Sequence, residues 1–221
     1  MTTLARKLPF VLLAAPLLWL VPALLHPMGE PYAGIADEAN LWIFVHLVQL
    51  VLTPFLAAGV WILLSGLQTV AAQVARAALV LWMVFFSAFD AAAGIATGVL
   101  TRHANSLTGD EREGVIGAID FLFDDSQLAG GGFSVLGNLG HLSWVVVAIA
   151  ATVALYQAGA GRVIVAGTFL SVLFATHSGP GVAVGLVALF VAELITLRRR
   201  RPEIMSDDPD QAFDRSVRPA I

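Results

Sequence analysis

Between positions 41 and 64 the chain runs for twenty-four residues without an Asp, Glu, Lys or Arg. A helix crossing about 30 Å of hydrocarbon needs around 20 mostly apolar residues, so this run by itself reads as a membrane span. Pro54 is its expected kink. Four further apolar runs share the pattern. Residues 8–25 are broken by Pro9, Pro16 and Pro22, 77–100 are interrupted by Asp90, and 139–156 are uninterrupted by charge. The stretch 163–197 is too long for one crossing even with tilt. The breaker cluster His177-Ser178-Gly179-Pro180-Gly181 divides it into spans at about 163–177 and 181–197.

The basic residues test that count, because short cytoplasmic loops retain Arg and Lys. With six spans and both termini in the cytoplasm, Arg6, Lys7, Arg76, Arg162, the run Arg198 to Arg201, Arg215 and Arg218 all fall inside. That is ten of the twelve basic residues, leaving Arg102 and Arg112 outside. Five spans would put the four-arginine run on the wrong face. The expectation is therefore an all-α, six-helix transmembrane bundle, a multi-pass protein of the cell (inner or plasma) membrane. Residues 1–200 form the bundle, 101–138 an external loop, and 201–221 a disordered cytoplasmic tail. The apolar run at 8–25 exceeds the 7–15 residues of a signal-peptide core and is expected to stay as an anchor.

Composition agrees and removes several functions. The chain is 58% hydrophobic and 13% charged, against roughly 45–50% and about 25% in soluble domains. Cysteine is absent, which excludes disulfides, thiolate metal sites and iron–sulfur clusters. A net charge of −4 argues against nucleic acid as a partner. Lys7, the only lysine, precedes the first apolar run, so a mid-membrane Schiff base is impossible. The expected partners are the lipid bilayer and, as an alternative, another membrane protein.

In the external loop, Thr108 and Glu111 have capping-box spacing. Val115, Ile116, Ile119, Leu122 and Phe123 follow on one helical face, which predicts a surface helix over the membrane or the bundle mouth. Gly130, Gly131 and Gly132 make the next stretch flexible. Gly94 and Gly98, and Gly181 and Gly185, have the four-residue spacing that lets helices approach closely. The five tryptophans fall mostly near span ends, as in aromatic belts.

The polar residues inside the spans are the candidate site. His46, Gln49 and Thr53 lie three and four apart and share one helix face. Ser87, Asp90, Gly94, Thr97 and Thr101 repeat at 3-4-3-4 along the third span. Asp90 lies roughly 15 Å from the outer end of its span, where an ionised Asp costs about 2.5–3.5 kcal/mol. It should turn inward, toward Ser87, Gln49, Thr53 or His46. A purely structural role is the competing reading, with Asp90 protonated and serving only helix packing. Glu193 sits near Arg198 and is expected to snorkel or pair there.

All five histidines (His26, His46, His103, His141, His177) fall in the outer half under this topology. None has the spacing of a metal-binding motif. A site opening outward would have Asp90, Ser87 and His46 as its catalytic groups, with Gln49 and Thr53 binding the ligand. His46, His141 and His177 would be the candidate ligands for zinc or another transition metal. The chemistry would be metal or small-ligand binding, with a membrane-embedded hydrolase as its catalytic form. Ser87 and Asp90 with dispersed histidines resemble the Ser, Asp and three His of intramembrane zinc amidohydrolases of the alkaline ceramidase type. Those enzymes have seven spans and a His-x-x-x-His pair, which this chain lacks, so neither their activity nor their residues transfer. The alternatives are a non-catalytic accessory subunit, a carrier with His46 and His141 facing one haem, and a small proton-coupled transporter.

Overall fold

The computed structural model describes residues 13–27, 31–125, 127, 134–176 and 179–205. Among them the chain is helical and contains no strand. Helix α1 is Ala14–Leu25, α2 is Pro31–Ile35, and a 3-10 turn, Ala36–Glu38, leads into α3, Ala39–Leu63. Helix α4, Val70–Phe89, passes into a π-helical segment, Asp90–Ala96, and then into α5, Thr97–Ala104. Helix α6 is Gly109–Asp124 and α7 is Val135–Gln157. Helix α8, Arg162–Leu170, ends in a 3-10 turn, Ser171–Thr176, before α9, Pro180–Met205.

Local chemistry sets the helix ends. Thr69 and Ser134 have extended backbones, and their side-chain oxygens accept from the N–H groups of Ala72 and Gly137; each satisfies one of the free donors of a helix start. Gly66, at φ 82°, lets the chain turn beyond α3. Arg76 caps that same end by donating to the carbonyls of Leu64 at 2.7 Å and Leu67 at 2.9 Å, while stacking over Trp61. A cation is favourable there, beside the negative end of the helix dipole.

Four helical stretches are long and apolar enough to cross a membrane: Tyr32–Leu63, Val70–Ala104, Val135–Gln157 and Pro180–Arg199. Their outward faces keep large apolar side chains exposed, among them Leu18 on the shorter α1 and Val51, Val84, Ile149 and Val184 on the long helices. An all-helical chain with this surface is a membrane protein. The expected spans at 8–25 and 163–177 correspond to shorter apolar helices, Ala14–Leu25 and Arg162–Thr176; residues 8–12 lie outside the described residues.

Several sequence expectations change. The third span begins at Val70, seven residues earlier than expected, because α4 includes Arg76 with its guanidinium turned back to the helix end. The last helix runs on to Met205, through the boundary expected at 200; 206–221 and Gly130 to Gly132 lie outside the described residues. The Thr108 side chain makes no cap to α6, so the capping box is not formed. Helix α6 nonetheless packs on α5 and buries Ile119 completely. The tryptophans are chiefly core instead of belt. Trp19, Trp82 and Trp144 are buried, with Trp82 and Trp144 rings 4.8 Å apart and Phe174 4.8 Å from Trp144. The Trp144 indole donates to the Ser171 carbonyl at 2.7 Å, so the ring's polar edge is satisfied where it is buried.

The glycines act within the chain. Gly140 of α7 lies against the backbone of Phe86 in α4, and Gly185 of α9 against the backbone of Phe174. Gly94 and Gly98 sit under His46 and under Trp42 and Ile43, bringing the π-helical segment and α5 onto α3.

Candidate functional site

Asp90 begins the π-helical segment and is fully buried. The sequence there, Asp-Ala-Ala-Ala-Gly-Ile-Ala, is nearly all small, so the neighbouring helix can come close. The widened turn has specific partners. Thr97 Oγ1 donates to the Ala92 carbonyl at 3.2 Å, and the Trp42 indole donates to the Gly94 carbonyl at 2.8 Å. Such π-helical turns inside α-helices often occur at functional sites.

His46 faces Asp90 from α3, with Nε2 4.0 Å from Oδ1. Its other ring nitrogen, Nδ1, lies 2.7 Å from the Trp42 carbonyl one turn earlier. A carbonyl can only accept, so Nδ1 carries the hydrogen, and a neutral ring presents the Nε2 lone pair toward Asp90. The His46, Trp42 and His26 rings pack mutually, with centroids 4.6 Å apart for His46 and Trp42 and 5.0 Å apart for His26 and each of the others. Gly94 makes room for it: a Cβ there would overlap the ring carbons. Both residues are withdrawn from solvent, His46 at 2% exposure and Asp90 at 0%.

The stripe read from sequence does turn inward: Asp90, Gly94, Thr97 and Thr101 are buried, and Ser87 is half-buried. The hydrogen bonds expected along it do not form. Among the described residues neither Asp90 oxygen has a hydrogen-bond partner, so Ser87, Gln49 and Thr53 are not bonded to it. Thr53 donates instead to the Gln49 carbonyl at 2.8 Å, satisfying itself within its own helix. Gln49 is fully buried, with both amide atoms unpartnered among the described residues. Asp90 and His46 are therefore the two members of these stripes whose side chains the fold brings face to face.

The histidines divide. His26 stacks on His46 and on Trp42, and its Nδ1 lies 2.8 Å from the Pro27 carbonyl. Burial holds its pKa below the ordinary histidine value, with the Pro27 hydrogen bond opposing in part. His103 is exposed. His141 packs on Phe89, the residue before Asp90, with ring centroids 5.8 Å apart. His177 lies outside the described residues. Among the described residues no three His, Cys, Asp or Glu side chains are grouped so as to hold a metal ion, so a metal centre finds no support among them; the expected set of His46, His141 and His177 includes a residue outside them.

Sequence reasoning missed the part played by His26, which lies beyond α1, and by Trp42, which lies one turn before His46 and continues the 4-3-4 spacing of the α3 stripe. It also misplaced Glu193. Instead of pairing near Arg198, that side chain is 3% exposed, and neither carboxylate oxygen has a partner among the described residues.

One end of the bundle carries a polar clasp. Arg112 of α6 donates to the Tyr32 hydroxyl at 2.6 Å, Tyr32 donates to Asn105 at 2.9 Å, and Asn105 donates to the Ala36 carbonyl at 2.6 Å. This ties α6 to α2 and to the turn after α5, above the helices that hold Asp90 and His46. No protein-family model, curated protein or solved structure matches this chain.

Proposed function

We propose that this chain is a proton-handling membrane protein, a relay or proton-coupled carrier, in which Asp90 and His46 bind and release a proton inside the bilayer. The observation that carries the reading is the 4.0 Å approach of the His46 Nε2 to an Asp90 carboxyl that has no other polar partner among the described residues. A buried acid beside a neutral imidazole is a donor facing an acceptor, and transfer between them makes an ion pair from two neutral groups. Intramembrane ionisable residues are functional candidates by default, and Asp, Glu and His that face each other include the proton relays of pumps and transporters. Two features favour a mobile proton over a packing role. Among the described residues the carboxyl is not tied down by hydroxyl or amide donors, and it begins a π-helical turn of the kind often found at functional sites.

In this reading α1 and the α8 segment also cross, giving six passages with both termini in the cytoplasm of a cell whose inner or plasma membrane holds the protein. The support is the arginine bias: Arg76, Arg162, Arg198 and Arg199 would share one face. The site then opens toward the opposite face, below the Arg112–Tyr32 clasp. The test is proton movement in liposomes containing a pH-sensitive dye, driven by a potassium diffusion potential. The expected result is a flux well above protein-free vesicles, lost in Asp90→Asn and in His46→Gln. Equal flux in wild type and in Asp90→Asn would refute the reading.

A further inference from the structure

Glu193 is the second carboxyl enclosed among the apolar helices, and the Asp90–His46 site makes no use of it. It lies on α9, 3% exposed, with Oε1 and Oε2 both unpartnered among the described residues. A cavity of about 10 Å³ lies beside it, lined by Leu13, Gly59, Leu63, Thr196 and Leu197 among others. That is near the lower limit of space for one water. Gly59 of α3 keeps the place open: a Cβ there would come within 2.7 Å of Oε1. Thr196, which also lines the cavity, donates its hydroxyl hydrogen to the Ala192 carbonyl at 2.8 Å, which leaves lone-pair capacity on its oxygen.

Among the residues whose side chains are described, no cation neutralises the group. Helix α1 and the 3-10 turn Ser171–Thr176, which pack against α9, contain no ionisable side chain, and α8 contributes only Arg162 at its first position. Helix α3 contributes His46, thirteen residues from Gly59, or about 20 Å along the axis. On α9 itself Arg198 and Arg199 are exposed, and Arg199 lies against Gly161. An ionised carboxylate without a polar partner or a cation in such a place is strongly disfavoured, whereas the acid form needs only one acceptor.

We infer that Glu193 and the cavity beside it form a second proton-binding site, separate from Asp90 and filled through a single water from the arginine-bearing end of the bundle. The two acids flank the two ends of α3, Asp90 opposite His46 and Glu193 opposite Gly59. This site does not depend on the reading of Asp90.

The experiment is infrared difference spectroscopy of the full-length protein in lipid, recorded between about pH 5 and pH 10, the range over which buried carboxyls titrate, in H₂O and in D₂O. The expected result is a protonated-carboxyl band that fades with rising pH and shifts in D₂O. It should be lost in Glu193→Gln, retained in Asp90→Asn, and displaced in Gly59→Ala, where the carboxyl remains but its space is filled. A spectrum unchanged by Glu193→Gln, or a Glu193 band indifferent to both pH and D₂O, would overturn the proposal. A band that sodium removes at constant pH would overturn it too, in favour of a metal-cation site. Failure of the Asp90 reading is separately visible as the absence of any band assigned by Asp90→Asn.

Discussion

The indole nitrogen of Trp42 donates to the Gly94 carbonyl at 2.8 Å, joining α3 to the π-helical turn that begins at Asp90. One turn of α3 thus does two jobs. Its Trp42 side chain holds the widened backbone, and its Trp42 carbonyl fixes the tautomer of His46 at 2.7 Å. The distance between His46 and Asp90 follows from both contacts and from the missing side chain at Gly94.

Gly94→Ala should therefore damage the site by filling it. The added methyl would occupy the position of the His46 ring, and overpacking of this kind costs about 1–3 kcal/mol. A thermal-unfolding measurement in detergent should show a lower Tm and lose the His46–Asp90 contact. Gly114→Ala is the control. Gly114 is an exposed glycine of α6, and a methyl added to it would meet nothing within 4 Å. Helix propensity should make that change neutral or stabilising by up to about 1 kcal/mol.

His26 gives the stability a pH dependence. Burial lowers its pKa in the folded protein, so the unfolded chain takes up the proton first as pH falls. The stability His26 contributes is complete above the unfolded value of about 6.5 and is lost as the pH drops from there through the folded value. Tm measured from pH 7.5 down to pH 5 should fall, and His26→Gln should flatten that slope. An equal slope in the variant would mean that His26 is not the group responsible.

The Arg112–Tyr32–Asn105 clasp should govern local opening more than global stability. Tyr32→Phe removes the hydroxyl that accepts from Arg112 and donates to Asn105. These groups are exposed, so the stability change should stay below about 1 kcal/mol. Hydrogen exchange should nonetheless speed up across α6, residues 109–124, while α7 is unaffected. Unchanged exchange in α6 would show that the buried Ile119 alone holds it down.

The inward direction of Asp90 was legible in the sequence because a helix repeats every 3.6 residues, and the third-span stripe of Asp90, Gly94, Thr97 and Thr101 keeps that repeat. What faces the stripe was only half legible. His46 is on the facing helix at comparable depth, and depth can be counted in residues. The same count made Gln49, Thr53 and Ser87 equally good partners, because counting gives no rotation of one helix about its axis. That rotation is set by Gly94 and Gly98 seating α3, a contact between chain segments about fifty residues apart. Glu193 was misread for a related reason. Arg198 is close in sequence, but five residues along a helix is well over one turn, and the space the carboxyl occupies is made by Gly59 on another helix. The tryptophans at span quarters are compatible with a belt or a core, and only packing against Phe174 decides for the core.

Proton sharing between Asp90 and His46 is the central claim, and nitrogen NMR of histidine-labelled protein in lipid reads it directly. The expected His46 ring has hydrogen on Nδ1 and none on Nε2, and its Nε2 signal moves with pH. Because the two groups share a proton, Asp90→Asn should change the pH response of that signal. A His46 signal with the same pH response in wild type and in Asp90→Asn would contradict it.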